Sequence, residues 1–116
     1  MDTGDVFDPN CPTRVVLDRI GDKWSVLVLL CLADGPMRFT RLRTRIGGVT
    51  PKVLTQTLRS MEQDGLVTRE VFAEVPPRVE YTLTELGRSL HDPVSVVASW
   101  AERNVGEMLR CREKFS

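Results

Sequence analysis

Between Gly35 and Met61 the chain carries six basic residues, Arg38, Arg41, Arg43, Arg45, Lys52 and Arg59, and no acid. Within that block Lys52, Gln56, Arg59 and Gln63 follow one another at intervals of three and four, with Thr55 among them, so a helix would put them on one face. Each is a hydrogen-bond donor or acceptor. The chemistry open to such a face is anion recognition. Arg59 or Lys52 can grip a phosphate or pair with guanine, and Gln56 can pair with adenine. Residue type alone does not separate those roles. An ordinary solvated helix is polar too, but it mixes signs, and Lys52 to Ser60 contains no acid. Elsewhere the balance reverses. Residues 1–34 hold six acids against three bases, and residues 62–116 hold ten acids against seven bases. The formal net charge of zero therefore hides a local anion-binding surface, for which nucleic acid is the leading partner.

The elements that must hold these side chains can be read in order. At 116 residues the chain is one domain, with residues 1–10 as a loose lead and 11–116 as the folded unit. Cys11-Pro12 opens a first helix with proline at its first position, Val16, Leu17 and Ile20 form its apolar stripe, and Gly21 ends it. Asp22 caps a second helix through Ala33, which buries Trp24, Leu27, Val28, Leu30 and Cys31. Its near-continuous apolar run also fits a buried strand, but the cap and the Gly35-Pro36 break favour helix. A short third helix faces the core through Phe39, Leu42 and Ile46, so Arg41, Arg43 and Arg45 point elsewhere. Gly47-Gly48-Val49 makes a tight turn. Thr50 then caps a fourth helix over about 51–64, with Pro51 first and a buried stripe of Leu54, Leu58 and Met61. Its free N–H groups at Thr50-Pro51 suit a phosphate. Next the period becomes extended: a ribbon of two strands spans about 66–83 with a two-proline turn, and Arg78 sits beside its tip within reach of a minor groove or a phosphate. Glu74 beside it weighs against that contact. Thr84 caps a last helix over about 85–110, which Asp92-Pro93 kinks or breaks.

This order predicts a mostly α fold with a small β-hairpin: a winged helix-turn-helix flanked by N- and C-terminal helices. In that plan the fourth helix enters the major groove and the third crosses the backbone. Lys52, Thr55, Gln56 and Arg59, with Thr50 at the cap, are the candidate groove residues, and Arg41 and Arg43 the candidate phosphate contacts. The first and last helices carry Val16, Val97, Trp100 and Val105 beyond what a small core uses, and a two-fold dimer would double the few base pairs one helix reads. Leu109 and Phe115 either extend that interface or belong to a tail.

Several chemistries are excluded or unsupported. His91 is the sole histidine, so neither a triad nor a credible metal set forms, and no cofactor is expected. Gly47-Gly48 alone is a turn and not a phosphate loop. The longest apolar run, Val26 to Ala33, has eight residues, too few to span a membrane. The acidic N-terminus does not look like a secretory signal, and three scattered cysteines do not build a disulfide scaffold, so the expected setting is cytoplasm. The competing function is a winged-helix protein-interaction module whose basic face meets an acidic partner. Salt dependence and sequence preference distinguish the two.

The stretch Ile46-Gly-Gly-Val-Thr-Pro-Lys-Val-Leu-Thr-Gln-Thr-Leu-Arg-Ser-Met-Glu-Gln-Asp-Gly-Leu-Val-Thr-Arg69 resembles the HxlR-type bacterial transcription regulators. So does Pro77-Arg-Val-Glu-Tyr-Thr-Leu-Thr-Glu-Leu-Gly87. Cys11-Pro12, Gly21-Asp-Lys-Trp-Ser25 and Trp100-Ala101 are similar to that family's opening and closing segments, and the likeness covers roughly residues 11–105. It implies a homodimeric winged-helix repressor or activator, dimerised through its first and last helices, with the helix from Pro51 on operator DNA and the hairpin as wing. It also implies a redox-sensing or electrophile-sensing role for Cys11, the position where several members keep such a cysteine. A thiol at a helix N-cap would be acidified by the helix dipole, with Arg14 helping and Asp5 and Asp8 opposing. Cys31 reads as a core residue. Cys111 reads either as a partner for Cys11 across a dimer or as a surface thiol. A small aromatic effector at a dimer interface stays open.

Overall fold

The computed structural model describes residues 4–115. Among the described residues, five helices and three short strands follow in the order α1 (Arg14–Ile20), α2 (Lys23–Leu32), β1 (Met37–Arg38), α3 (Phe39–Ile46), α4 (Pro51–Gln63), β2 (Val67–Phe72), β3 (Arg78–Leu83) and α5 (Glu85–Phe115). The strands form one antiparallel sheet in the order β1-β3-β2. β2 and β3 are the expected ribbon, paired from Val67 with Leu83 to Phe72 with Arg78. β1 was not expected: two residues after Gly35-Pro36 pair Met37 with Tyr81 and Arg38 with Glu80. A strand this short has no periodicity of its own; its partner defines it. The fold is thus the expected winged helix-turn-helix with a three-stranded wing sheet.

α2 runs through the centre. Asp22 caps it, accepting from the Trp24 N–H at 3.2 Å and from the Ser25 hydroxyl at 2.9 Å. Its buried face is Ser25, Val28, Leu29, Leu32 and Cys31. That corrects the expected set: Trp24 and Leu30 only flank the core, and Leu27 lines an outer groove. Nearly every residue of the run is apolar, so the sequence offers a helix without saying which side turns inward. Leu42 of α3, Leu54, Leu58 and Met61 of α4, and Val67 and Leu83 of the sheet close the core around it. Burying each of these large side chains contributes roughly 1.5–3 kcal/mol.

Two close approaches hold α4 and α5 against the sheet. At the end of α4, Gly65 N–H bonds to the Glu62 carbonyl and Leu66 N–H to the Met61 carbonyl, which satisfies two terminal carbonyls and turns the chain into β2. Thr84 then donates its hydroxyl to the Gly65 carbonyl at 2.6 Å and accepts from the Gly87 N–H at 3.0 Å, capping α5. Gly87 presses on that corner: a Cβ there would stand 2.1 Å from the Leu66 carbonyl oxygen, so only glycine fits.

Both ends differ from expectation. α1 begins at Arg14 with Thr13 as its N-cap, so Pro12 is not its first residue and Cys11 is not its cap. Of the loose lead expected over residues 1–10, residues 4–10 run as turns tied back by Arg14, which donates to the Val6 and Phe7 carbonyls, and residues 1–3 lie outside the described residues. α5 is one helix through Pro93 and on to Phe115 rather than broken at Asp92-Pro93. Loss of one N–H and local crowding at Pro93 are absorbed within a helix that Val94 anchors to the core.

Candidate nucleic-acid interface

Thr50 opens α4 by accepting the Val53 N–H at 3.2 Å, with Pro51 in the first turn. Leu54, Thr57, Leu58 and Met61 are buried. Lys52, Thr55, Gln56, Arg59 and Gln63 are all exposed. At 3.6 residues per turn these five span an arc of roughly 100° opposite the buried stripe. The helix therefore offers solvent one continuous face of amides, hydroxyl and cations. Thr55 is a partial exception, because its hydroxyl donates to the Pro51 carbonyl at 2.8 Å. Its proton is committed, which leaves oxygen lone pairs and a methyl group to meet a ligand.

α3 precedes α4 across Gly47 and Gly48, both at positive φ (55° and 82°), where a side-chain-bearing residue would be strained. Arg41, Arg43 and Arg45 are exposed on α3, and Leu42 is fully buried behind them. Among the described residues, none of Arg38, Arg41, Arg43, Arg45, Lys52 and Arg59 forms an ion pair with a carboxylate. Six exposed cations without counter-charges are six positions where a phosphate meets no competing protein anion. Burial pushes the Cys31 thiol up, and the nearby Arg45 only partly opposes this.

Arg78, placed on the wing, is held differently. Its Nε donates to Glu74 at 3.2 Å, its Nη1 donates to Glu80 at 2.8 Å, and its guanidinium lies 3.9 Å from the centre of the Phe72 ring. It is half-buried and neutralised from two sides. Sequence reasoning sensed Glu74 but missed Glu80 and Phe72. The alternation in β3 does put Arg78 and Glu80 on the same side, which was a usable signal. The tip itself ends in Val75, fully exposed.

Cys11 lies outside the core yet is only 8% exposed, covered by its own turn. Its Sγ is 2.9 Å from the Thr13 hydroxyl and accepts the Asp5 N–H at 3.1 Å. The Thr13 hydroxyl and N–H, with the Asp5 N–H, hold the thiol below the ordinary cysteine range against a smaller opposing effect of burial. The expected acidification is present, but hydrogen bonds cause it instead of a cap position. Cys111 is exposed on α5.

Among the described residues no group of His, Cys, Asp and Glu could hold a metal ion, and no helix is long and apolar enough to cross a membrane.

The sequence profile of the family described as HxlR-like helix-turn-helix matches residues 19–108. The uncharacterized HTH-type transcriptional regulator YtfH of Escherichia coli (strain K12) is 43% identical over 96% of this chain and 88% of its own length. Among solved structures, a protein of Salmonella typhimurium described as a transcriptional regulator, ytfH, superposes with a TM-score of 0.87 at 44% identity, over 95% of this chain and 98% of that one. The redox regulator HypR in its oxidized form superposes with a TM-score of 0.76 at 44% identity, over 81% of this chain and 97% of that one.

Proposed function

This chain belongs to the HxlR-like helix-turn-helix family of transcriptional regulators, and on that premise we propose that it binds a pseudo-palindromic operator as a homodimer, α4 in the major groove. The observation that carries this reading is the set of six exposed basic residues of α3, α4 and their approaches, none bound to a carboxylate. Lys52, Gln56 and Arg59 reach base edges or flanking phosphates. Thr55 adds its methyl group and Thr50 the amino end of the helix, and Arg41 and Arg43 grip the backbone. Arg78 contributes least, because a phosphate would have to displace Glu74 and Glu80.

Dimerisation is supported by apolar surface that the protomer leaves uncovered. Val16, Leu17 and Ile20 on α1 are exposed, as are Val97 (65%) and Trp100 (51%) on α5. Along α5, Leu90 and Val94 pack on the protomer's own core. The same alternation of four and three continues through Val97, Ala101, Asn104, Met108, Cys111 and Phe115, the spacing of a helix–helix seam. Two α4 helices so related would read half-sites one helical turn apart or a multiple of it.

Selection of bound duplexes from a random pool tests the reading. A single preferred motif in inverted repeat is expected, with affinity falling about 10³–10⁵-fold between 50 and 200 mM salt. Binding without sequence preference, or binding to an acidic protein that duplex does not compete away, would replace it with the interaction-module reading.

A redox role for Cys11 is favoured by the hydrogen bonds that acidify its thiol, since the thiolate is the form that adds to an electrophile. Cys11→Ser should retain DNA binding in diamide or quinone where the parent protein releases it. Equal release from both would remove Cys11 from the switch.

A further inference from the structure

Arg19 of α1 donates through Nε to Asp64 Oδ2, a residue 45 positions along the chain that closes the carboxyl end of α4. Both side chains are about three-quarters covered, with 28% and 26% of their surface exposed. Two features distinguish this pair from an ordinary surface ion pair.

The first is electrostatic. Unpaired carbonyls give the end of a helix negative character, and a cation belongs there. The last turn of α4 holds Glu62 and, as its cap, Asp64, but no base. Its missing cation is Arg19, supplied by another helix. Asp64, with Asp22 and Asp18 further off, in turn raises the proton affinity of Arg19.

The second is packing. α1 has no buried residue. Between it and the corner where α4 turns into β2 and α5 begins runs an apolar groove of about 360 Å³, lined by Val15, Val16, Leu66, Leu86 and Leu90, with Arg19 and Asp64 along its edge. The Arg19–Asp64 ion pair crosses from α1 to the carboxyl end of α4 beside that groove. All four apolar residues of α1, Val15, Val16, Leu17 and Ile20, are exposed and available to a second copy. α1 thus stands between the dimer seam and the DNA-reading helix.

We infer that Arg19 is a positioning residue: by holding Asp64 it fixes the angle between the dimer-forming helix α1 and the DNA-reading helix α4, and thereby the half-site separation the dimer accepts. This inference rests on the dimeric DNA-binding reading above.

The test uses the full chain and duplexes carrying two copies of the selected half-site, with the spacer lengthened or shortened one base pair at a time. One base pair rotates a half-site by about 34–36°, so a rigid dimer is selective. The parent protein should lose at least about tenfold in affinity one or two base pairs from its optimum. Arg19→Gln should flatten the profile to within about threefold, yet bind a duplex with a single half-site as the parent does. Reduced stability alone would lower all affinities together and leave the profile's shape unchanged. The exchange Arg19→Asp with Asp64→Arg should restore the selective profile. If Arg19→Gln does not fold, as judged by circular dichroism, Asp64→Asn carries the same expectation. An unchanged profile in the folded variant overturns the inference and leaves the DNA-binding reading standing, as does a parent protein that binds duplex but ignores spacer length. A parent protein with no preferred duplex overturns both.

Discussion

Two regions present arginine to solvent and treat it in opposite ways. In α3 and α4 the cations stand on a framework whose neighbours are neutral or apolar: Arg41 and Arg43 flank the buried Leu42, and Arg59 follows the buried Leu58. On the wing, Arg78 is enclosed by Glu74, Glu80 and the Phe72 ring, and Glu80 stands directly across the strand pair from Glu70. There a guanidinium between carboxylates offsets like-charge repulsion within the sheet. Residue type is the same, and the company it keeps decides whether its charge is available. One region leaves its cations without carboxylate partners, and the other satisfies its own.

The sharpest attempt to break that contrast is Lys52→Ala with Arg59→Ala. Duplex affinity should fall about 1,000-fold or more, because each charge-assisted contact is worth about 1–3 kcal/mol and each of the two occurs twice in a dimer. Thermal stability should hardly move, since neither residue bonds within the protein. Next, Arg41→Ala with Arg43→Ala should weaken all sequences alike and reduce the slope of log affinity against log salt by about 3–4, at ~0.9 for each of four lost phosphate contacts. Retention of the full slope would take α3 off the backbone. On the wing the order inverts. Arg78→Ala should lose about threefold or less in DNA affinity but about 1 kcal/mol of stability, measured by urea denaturation. Glu74→Gln with Glu80→Gln should free the same arginine and raise affinity by a small factor at low salt only.

The smallest effect applies the same principle to a thiol. The Thr13 hydroxyl favours the thiolate of Cys11, so the folded pKa is below that of a free thiol and alkylation should begin at lower pH than in a cysteine peptide. Thr13→Val should move the midpoint upward. Burial raises Cys31, so it should react only on unfolding.

How much of this was legible differs element by element. α4 is readable because its signals are local: Thr50-Pro51 at the start, Asp64-Gly65 at the stop, a stripe of period 3.6, and a run of sequence without acids. The exposed face follows from the stripe by subtraction, so the exposure of Lys52, Thr55, Gln56 and Arg59 is legible without a structure. α2 is readable as a helix but not as an oriented one, since a run that is apolar all round carries no direction. β1 is invisible because two residues acquire strand character only from β3. Cys11 was assigned acidity by the wrong mechanism, because the distance from Sγ to the Thr13 hydroxyl depends on where the helix begins, which is uncertain by a residue or two in any sequence reading.

Local pattern settled the element types, the separation of basic from acidic segments and the face α4 shows to solvent, since these depend on spacing and on the sign of neighbouring residues. Pairings across long stretches of chain lay beyond it. That Arg78 is bound by Glu80 while Arg59 is not, and that Arg19 of α1 closes the far end of α4 at Asp64, follows from how packed elements bring side chains within a few ångströms. The physical reason is range: helix capping and periodicity act over three or four residues, whereas the availability of a charge is set by whichever group the fold places beside it.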